Sequence, residues 1–224
     1  MNNLVKKYYD DLAKHYDENR FNNSYGKYID KQERKFLKES ILKNKYKKIL
    51  DLGCGTGRLL DFASFGADIS SEMLTKAREK FPSKELQLGS VTAIPYKEES
   101  LDVIYSFHVI MHLDKQITKD FLKESHSKLK DKGILIFDFP SKTRRLLVNY
   151  QPNSWHGANH FTIKEIKELI ESNWEIKRTR GFLFFPIHRI HKKIRFLFTA
   201  LDILLCKSPF KKYASYIVIE LEKK

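Results

Sequence analysis

Residues 49–57, Ile-Leu-Asp-Leu-Gly-Cys-Gly-Thr-Gly, constrain this chain more than any other stretch. A short apolar run that ends in an acid and passes at once into alternating glycines reads as a buried strand feeding a tight turn. Glycines at 53, 55 and 57 leave bare backbone where a side chain would block a ligand, so the loop can bend sharply and approach a bound molecule. Dinucleotide enzymes use the same device with Gly-x-Gly-x-x-Gly spacing, from which the Gly-x-Gly-x-Gly here departs.

The remainder of the chain alternates strand and helix signals. Strands are expected over 49–52, 66–69, 86–88, 101–107, 134–139, 174–182 and 216–221, and helices over 3–17, 28–43, 71–80, 115–130 and 162–172. Such alternation builds a parallel sheet covered by helices. Tyr28, Ile29, Phe36, Leu37 and Ile41 recur at helical spacing after a polar linker over 21–26. Thr162 and Glu165 stand at capping-box spacing. Only ten residues separate Gly57 from Asp68, so any helix after the glycine loop must be brief. A length of 224 residues with 42% hydrophobic content suits one substantial core, and a single domain is expected.

Five segments in this order carry a resemblance: Tyr8 to Asp17 (Tyr-Tyr-Asp-Asp-Leu-Ala-Lys-His-Tyr-Asp), Asp51 to Gly57, Gly66 to Leu74 (Gly-Ala-Asp-Ile-Ser-Ser-Glu-Met-Leu), Gly89 to Tyr96, and Leu101 to Leu113 ending in His-Leu. The chain resembles the class I S-adenosylmethionine-dependent methyltransferases, in particular a small-molecule branch related to quinone-biosynthesis methyltransferases. The likeness runs over nearly the whole length and is strongest from 8 to 140. It implies an α/β, Rossmann-like three-layer sandwich, with a seven-stranded, mostly parallel sheet whose last strand is antiparallel. Residues 1–45 would then supply lid helices, 46–140 the cofactor-binding half, and 141–224 the substrate-side half.

S-adenosyl-L-methionine is the cofactor so implied. By resemblance, the loop with Asp51, Gly53, Cys54, Gly55 and Gly57 holds its methionine part, and Asp68 accepts hydrogen bonds from the ribose hydroxyls, beside Ile69 and Met73. Asp68 has a second reading as a cap for the helix at Ser71, a task open also to Ser70 or Ser71. Ser90 and Val91 occupy the adenine position, where the family carries an acid; the serine hydroxyl can still accept a bond, without charge. Phe107, His108 and His112 follow the fourth strand and are placed by the cofactor. Tyr16 is expected to close over the sulfonium, which an aromatic face favours, with Arg20 and Tyr25 extending the lid towards the substrate. Ordinary helix packing is the alternative for that segment.

Methyl transfer is an in-line displacement at a sulfonium, so alignment and exclusion of water are the main tasks. Where the acceptor is a hydroxyl or an amine a base helps, and His108 is the first candidate, level with a reading in which it only packs or touches cofactor. His112 is expected to be structural. His156 and His160 lie in the loop after the fifth strand and are assigned to the substrate side; with no third ligand in sight, no metal is expected. Ser106-Phe107-His108-Val109 lacks the Asn/Asp-Pro-Pro-aromatic run of amino-methylating nucleic-acid enzymes, and neither Cys54 nor Cys206 is placed as the nucleophile that base-C5 enzymes need.

Charge leaves the partner open. The formal net charge is +14, but only 10 of the 42 basic residues are arginine, as in a solvated lysine-rich surface. Residues 187–212 hold seven basic residues against Asp202, with Ile187, Ile190, Ile194, Leu197, Leu201 and Leu204 at helical spacing. This stripe is expected to cover the sheet or roof the substrate pocket, ahead of peripheral contact with a membrane. The favoured reading is transfer to an oxygen or nitrogen of a small or lipid-linked metabolite. An RNA or protein methyltransferase using the basic surface, and a non-catalytic S-adenosylmethionine-binding protein, are the alternatives. No apolar signal core follows Met1-Asn2-Asn3, two distant cysteines suit a reducing compartment, and no run reaches the length of a membrane span, so a cytoplasmic location is expected.

Overall fold

A computed structural model describes residues 2–42, 46–152, 155, 157–170, 172–191 and 193–224. The strand before the glycine loop is β1 (Ile49–Leu52), with every residue buried. It sits in a seven-stranded sheet with β2 (Phe65–Asp68), β3 (Glu85–Leu88), β4 (Leu101–Ser106), β5 (Leu129–Pro140), β6 (Trp174–Phe182) and β7 (Tyr216–Lys223), in the order β3-β2-β1-β4-β5-β7-β6. Neighbours pair in parallel except at β7, which runs antiparallel to both β5 and β6. This is the Rossmann-like sheet with an antiparallel last strand that the resemblance implies.

Successive side chains of a strand point to opposite faces, and here both faces are apolar. Leu50, Ile104, Leu135, Phe137, Phe139, Ile217 and Ile219 belong to one core, under α5 (Lys115–Lys128) and α7 (Ile163–Ile170). Ile49, Val103, Tyr105, Ile134, Ile136 and Val218 belong to the other, under α3 (Ser24–Ile41) and α4 (Ser71–Lys80). Two cores around one sheet make three layers. Before α3 come α1 (Asn2–Leu12), a turn of 3-10 helix at Ala13–His15 and α2 (Tyr16–Phe21); α6 (Lys142–Leu147) and α8 (Arg195–Lys207) complete the described helices.

Some boundaries differ from expectation, for local reasons. Helix α3 begins at Ser24 inside the expected linker, because the Asn23 side chain accepts the Gly26 N–H at 2.9 Å. A Cβ on Gly26 would lie 2.1 Å from the Arg20 carbonyl oxygen, so only glycine lets α3 pass the end of α2. Helix α6 was not expected; Ser141 caps it by accepting the Arg144 N–H. The helix after the glycine loop is reduced to a 3-10 turn at Leu60–Phe62, as the short spacing required. The basic stretch is not one helix, since a 3-10 turn at Ile187–Arg189 is separated from α8.

Strand direction sets where a site can form. The parallel strands all end at one edge of the sheet, and β7 starts there, its Tyr216 paired with both Pro140 and Phe182. The glycine loop, the residues after Asp68, the turn after Ser106, α6 and the basic stretch therefore share that carboxyl edge, where open α/β sheets bind ligands.

Candidate functional site

At the end of β1 the backbone turns through Gly53 (φ +77°), Gly55 (φ +54°) and Gly57 (φ +87°), a region costly for any residue with a Cβ. Gly53 and Cys54 donate their N–H groups to the Ala67 carbonyl, which fastens the loop to β2. A Cβ on Gly53 would strike Val109 at 2.4 Å, whereas one on Gly55 would meet nothing within 4 Å. Gly55 thus presents an open backbone face. Gly57 serves differently: its Cβ position is closed by Leu60 and Phe81, so it shapes the turn and does not line the cleft.

That face belongs to a cleft of about 820 Å³ lined by Gly53, Gly55, Asp68, Ile69, Met73, Ser90, Val91, Phe107, His108 and His112, and roofed by Tyr16. A smaller hollow of about 390 Å³ shares Tyr16, Gly53, Gly55, Phe107 and His108 and adds Asp51 and Cys54. The fold thus gathers the sequence-derived cofactor residues in one place, with Gly57 and Arg20 outside. Arg20 donates to the Tyr8 hydroxyl at 3.1 Å. Burial pushes the Asp51 carboxyl up to about 8, with Asp68 adding to the effect.

Asp68 is buried at the end of β2. Its Oδ2 accepts the Gly55 N–H at 2.8 Å and its Oδ1 the Ser70 N–H at 2.9 Å, so one carboxylate aligns both the glycine loop and the start of α4. Ser70, not Asp68, caps α4, by accepting the Met73 N–H. Burial raises the Asp68 pKa, against the bonds from Ser70 and Gly55. Ser90 pairs with Thr92 at 3.3 Å, and Ile69, Met73, Leu113 and Ile117 make an apolar wall beside it.

The lid is anchored at three points. Ser70 donates to Asp10 at 2.5 Å, Thr56 donates to Asp17 at 2.5 Å, and Lys80 pairs with Asp17. Val5 and Tyr9, one helical turn apart on α1, then face the cleft. The sequence reading passed over both, although i, i+4 spacing sets them on one side of α1. The Tyr9 hydroxyl lies 2.8 Å from His112 Nε2, and the Gly157 N–H donates to His112 Nδ1 at 3.3 Å. The ring proton accordingly sits on Nε2, and buried His112 ties lid to substrate-side loop.

His108 has φ +60°, uncommon for a residue with a side chain. Its N–H donates to Asp138 Oδ1 at 2.6 Å, which holds that conformation. Its ring lies between carboxylates, with Nε2 at 2.7 Å from Glu33 Oε1 and Nδ1 at 3.6 Å from Asp138 Oδ2. Burial depresses the His108 pKa, but Glu33 and then Asp138 raise it, and the net shift is upward. Glu33 is fully buried and also pairs with Arg58 at 2.6 Å; Arg58 reaches Asp30 at 2.7 Å and stacks on Phe21. Burial raises Asp138 to about 6, and Glu33 adds to the shift. No sequence motif marks Glu33, Arg58 or Asp138, which come from three distant segments.

The substrate-side candidates are placed more loosely. Tyr25 pairs with the Tyr216 hydroxyl and packs edge-on to His188, and Tyr216 in turn packs on His108. His160 Nδ1 lies 3.1 Å from the Ala158 carbonyl, beside Arg145, and does not line the cleft. His156 lies outside the described residues.

Known proteins resemble this chain in sequence and in fold. A family model described as a methyltransferase domain matches residues 50–137. An uncharacterized protein of Methanocaldococcus jannaschii is 29% identical over 95% of this chain and 88% of its own length. A Mycolicibacterium smegmatis protein, named "Probable S-adenosylmethionine-dependent methyltransferase", is 25% identical over 59% of this chain, which spans only 54% of that protein. Among solved structures, the magnesium protoporphyrin IX methyltransferase of Synechocystis, with bound SAH, superposes over 100% of both chains with a TM-score of 0.71 at 15% identity.

Proposed function

Because the chain belongs to the class I S-adenosylmethionine-dependent methyltransferases, we propose that it methylates an oxygen or nitrogen atom of a small or lipid-linked metabolite by in-line displacement. The observation that carries the reading is the convergence, in one cleft, of the open face of Gly55, the Asp68 carboxylate and an apolar wall at Ile69 and Met73. These fit the cofactor's methionine, ribose and adenine in turn. Each Asp68 oxygen spends one lone pair on backbone and keeps another for a ribose hydroxyl.

When bound, the cofactor supplies a methyl group carried on a sulfonium. The backbone at Gly53 and Gly55 holds the amino-acid end, with Asp51 and Cys54 behind it; Ser90 and Val91 hold the base. Tyr9 and Tyr16, in edge-on contact 6.0 Å apart, exclude water and favour a cation. His108, Tyr25 and Tyr216 face the acceptor. Held between Glu33 and Asp138, His108 keeps its proton more firmly than a free histidine, so it acts as a base only once pH exceeds its raised pKa.

Calorimetry with S-adenosylmethionine tests the reading directly. Asp68→Asn should weaken binding by about 2 kcal/mol, roughly thirtyfold. Absence of binding by the native chain, or an Asp68→Asn chain that binds equally well, would refute it. Labelled methyl transfer into extracts separated into metabolites, lipids, RNA and protein then identifies the acceptor.

A further inference from the structure

Helix α8 is folded with its polar anchor inside. Asp202 and Cys206 are its buried residues. Asp202 accepts hydrogen bonds from the Tyr28 hydroxyl at 2.9 Å, from Gln32 Nε2 at 3.1 Å and from the Phe185 N–H at 2.8 Å. This fixes which way the helix faces. Of the stripe expected to pack on the sheet, Ile187 is buried, but Leu204 is 64% exposed and Leu197 57%, with Ile194 and Leu201 exposed as well and Phe196 beside them 68% exposed. The Pro209–Tyr213 turn packs against α8 and exposes Phe210; α6 packs on the same turn, Ser141 donating to the Lys212 carbonyl, and exposes Leu146 and Leu147. Single exposed apolar residues are ordinary, but a set running across neighbouring elements marks an interaction surface.

The exposed charge of residues 187–212 is of one sign. Arg189, Lys193, Lys207 and Lys212 are exposed, and among the described residues none of the four has a carboxylate partner. The one acid of residues 187–212 is Asp202, buried beneath them. All these elements leave the sheet at the carboxyl edge, which also carries the cleft.

We propose that this face docks on an anionic lipid bilayer, with Phe196, Leu197, Leu204 and Phe210 entering the acyl boundary and the cations at headgroup level. Charge complementarity selects this occupant. A second copy of the chain would set like charges against each other. RNA would satisfy the cations and leave the aliphatic side chains in water. Docking does not depend on methyl transfer; only its consequence, access to a membrane-borne acceptor, rests on the function proposed above.

The test is co-sedimentation of the full chain with vesicles of phosphatidylcholine alone and of equimolar phosphatidylcholine and phosphatidylglycerol. The chain should pellet with the anionic vesicles and not with the neutral ones. Phe196→Glu combined with Leu204→Glu should lower the partition roughly tenfold or more, and so should Lys207→Glu combined with Lys212→Glu, which leaves the apolar residues untouched. Circular dichroism and calorimetric S-adenosylmethionine binding should be unchanged in both variants. The proposal fails if the native chain ignores anionic vesicles, if both variants pellet as well as it does, or if the surface instead drives self-association or RNA binding. Loss of cofactor binding by the native chain would sink the function above and leave a positive vesicle result standing.

Discussion

At His108 two carboxylates act on one ring, and the ionisation of that ring decides what the residue can do. Its pKa is raised, so a step that needs neutral imidazole is lost as pH falls through the raised value. Glu33→Gln removes the stronger of the two opposing charges. If His108 is the base, the acid limb of the kcat/KM profile should move to lower pH, and an unmoved limb would assign the proton transfer elsewhere. The same shift has a sign for stability. A folded-state pKa above the ordinary 6.5 means the histidine stabilises the fold fully below that value, and the contribution is lost as pH rises through the raised one.

Among the elements, α7 shows local signals winning outright. Thr162 and Glu165 exchange bonds as their spacing foretells, the Thr162 N–H to Glu165 Oε2 at 2.7 Å and the Glu165 N–H to Thr162 Oγ1 at 3.1 Å. Thr162→Ala should cost about 1 kcal/mol, read as a lower urea midpoint at unchanged slope. Burial works to raise the Glu165 pKa, yet Lys142 and the Thr162 bonds carry it down from 4.5 to about 2, so its contribution fades as pH falls through that interval. Lid helices α1 and α2 rest on side-chain bonds at Ser70 and Thr56, so their amides should exchange fast in the free chain and slow on adding S-adenosylmethionine.

The same contrast explains what could be read in advance. Helix α4 and strand β1 have the bounds expected, because cap, period and glycine all lie within a few residues of them. Gly55, Asp68 and Met73, which the resemblance marks, line one cleft. The Glu33, His108 and Asp138 cluster was not legible, since burial assembles it from α3, the turn after β4 and β5. Helix α8 was misread for a related reason: period reveals a stripe, and only the partners of Asp202 decide which side faces the protein.

For the molecule as a whole, the cleft sits where loops from both halves of the sheet meet, so filling it should stabilise everything together. S-adenosylmethionine at a hundred times its Kd should add about 2.7 kcal/mol and raise Tm by roughly 5–10 °C, and an unshifted melt would mean that ligand binds no folded site. The short turn at Leu60–Phe62 has a further consequence. A glycine loop that opens a long helix gains the positive end of the helix macrodipole, which dinucleotide sites use to hold pyrophosphate. This loop has no such helix behind it. It therefore offers a phosphate little of that electrostatic reward, and what it presents to a ligand is bare backbone at Gly55 in place of a helix end.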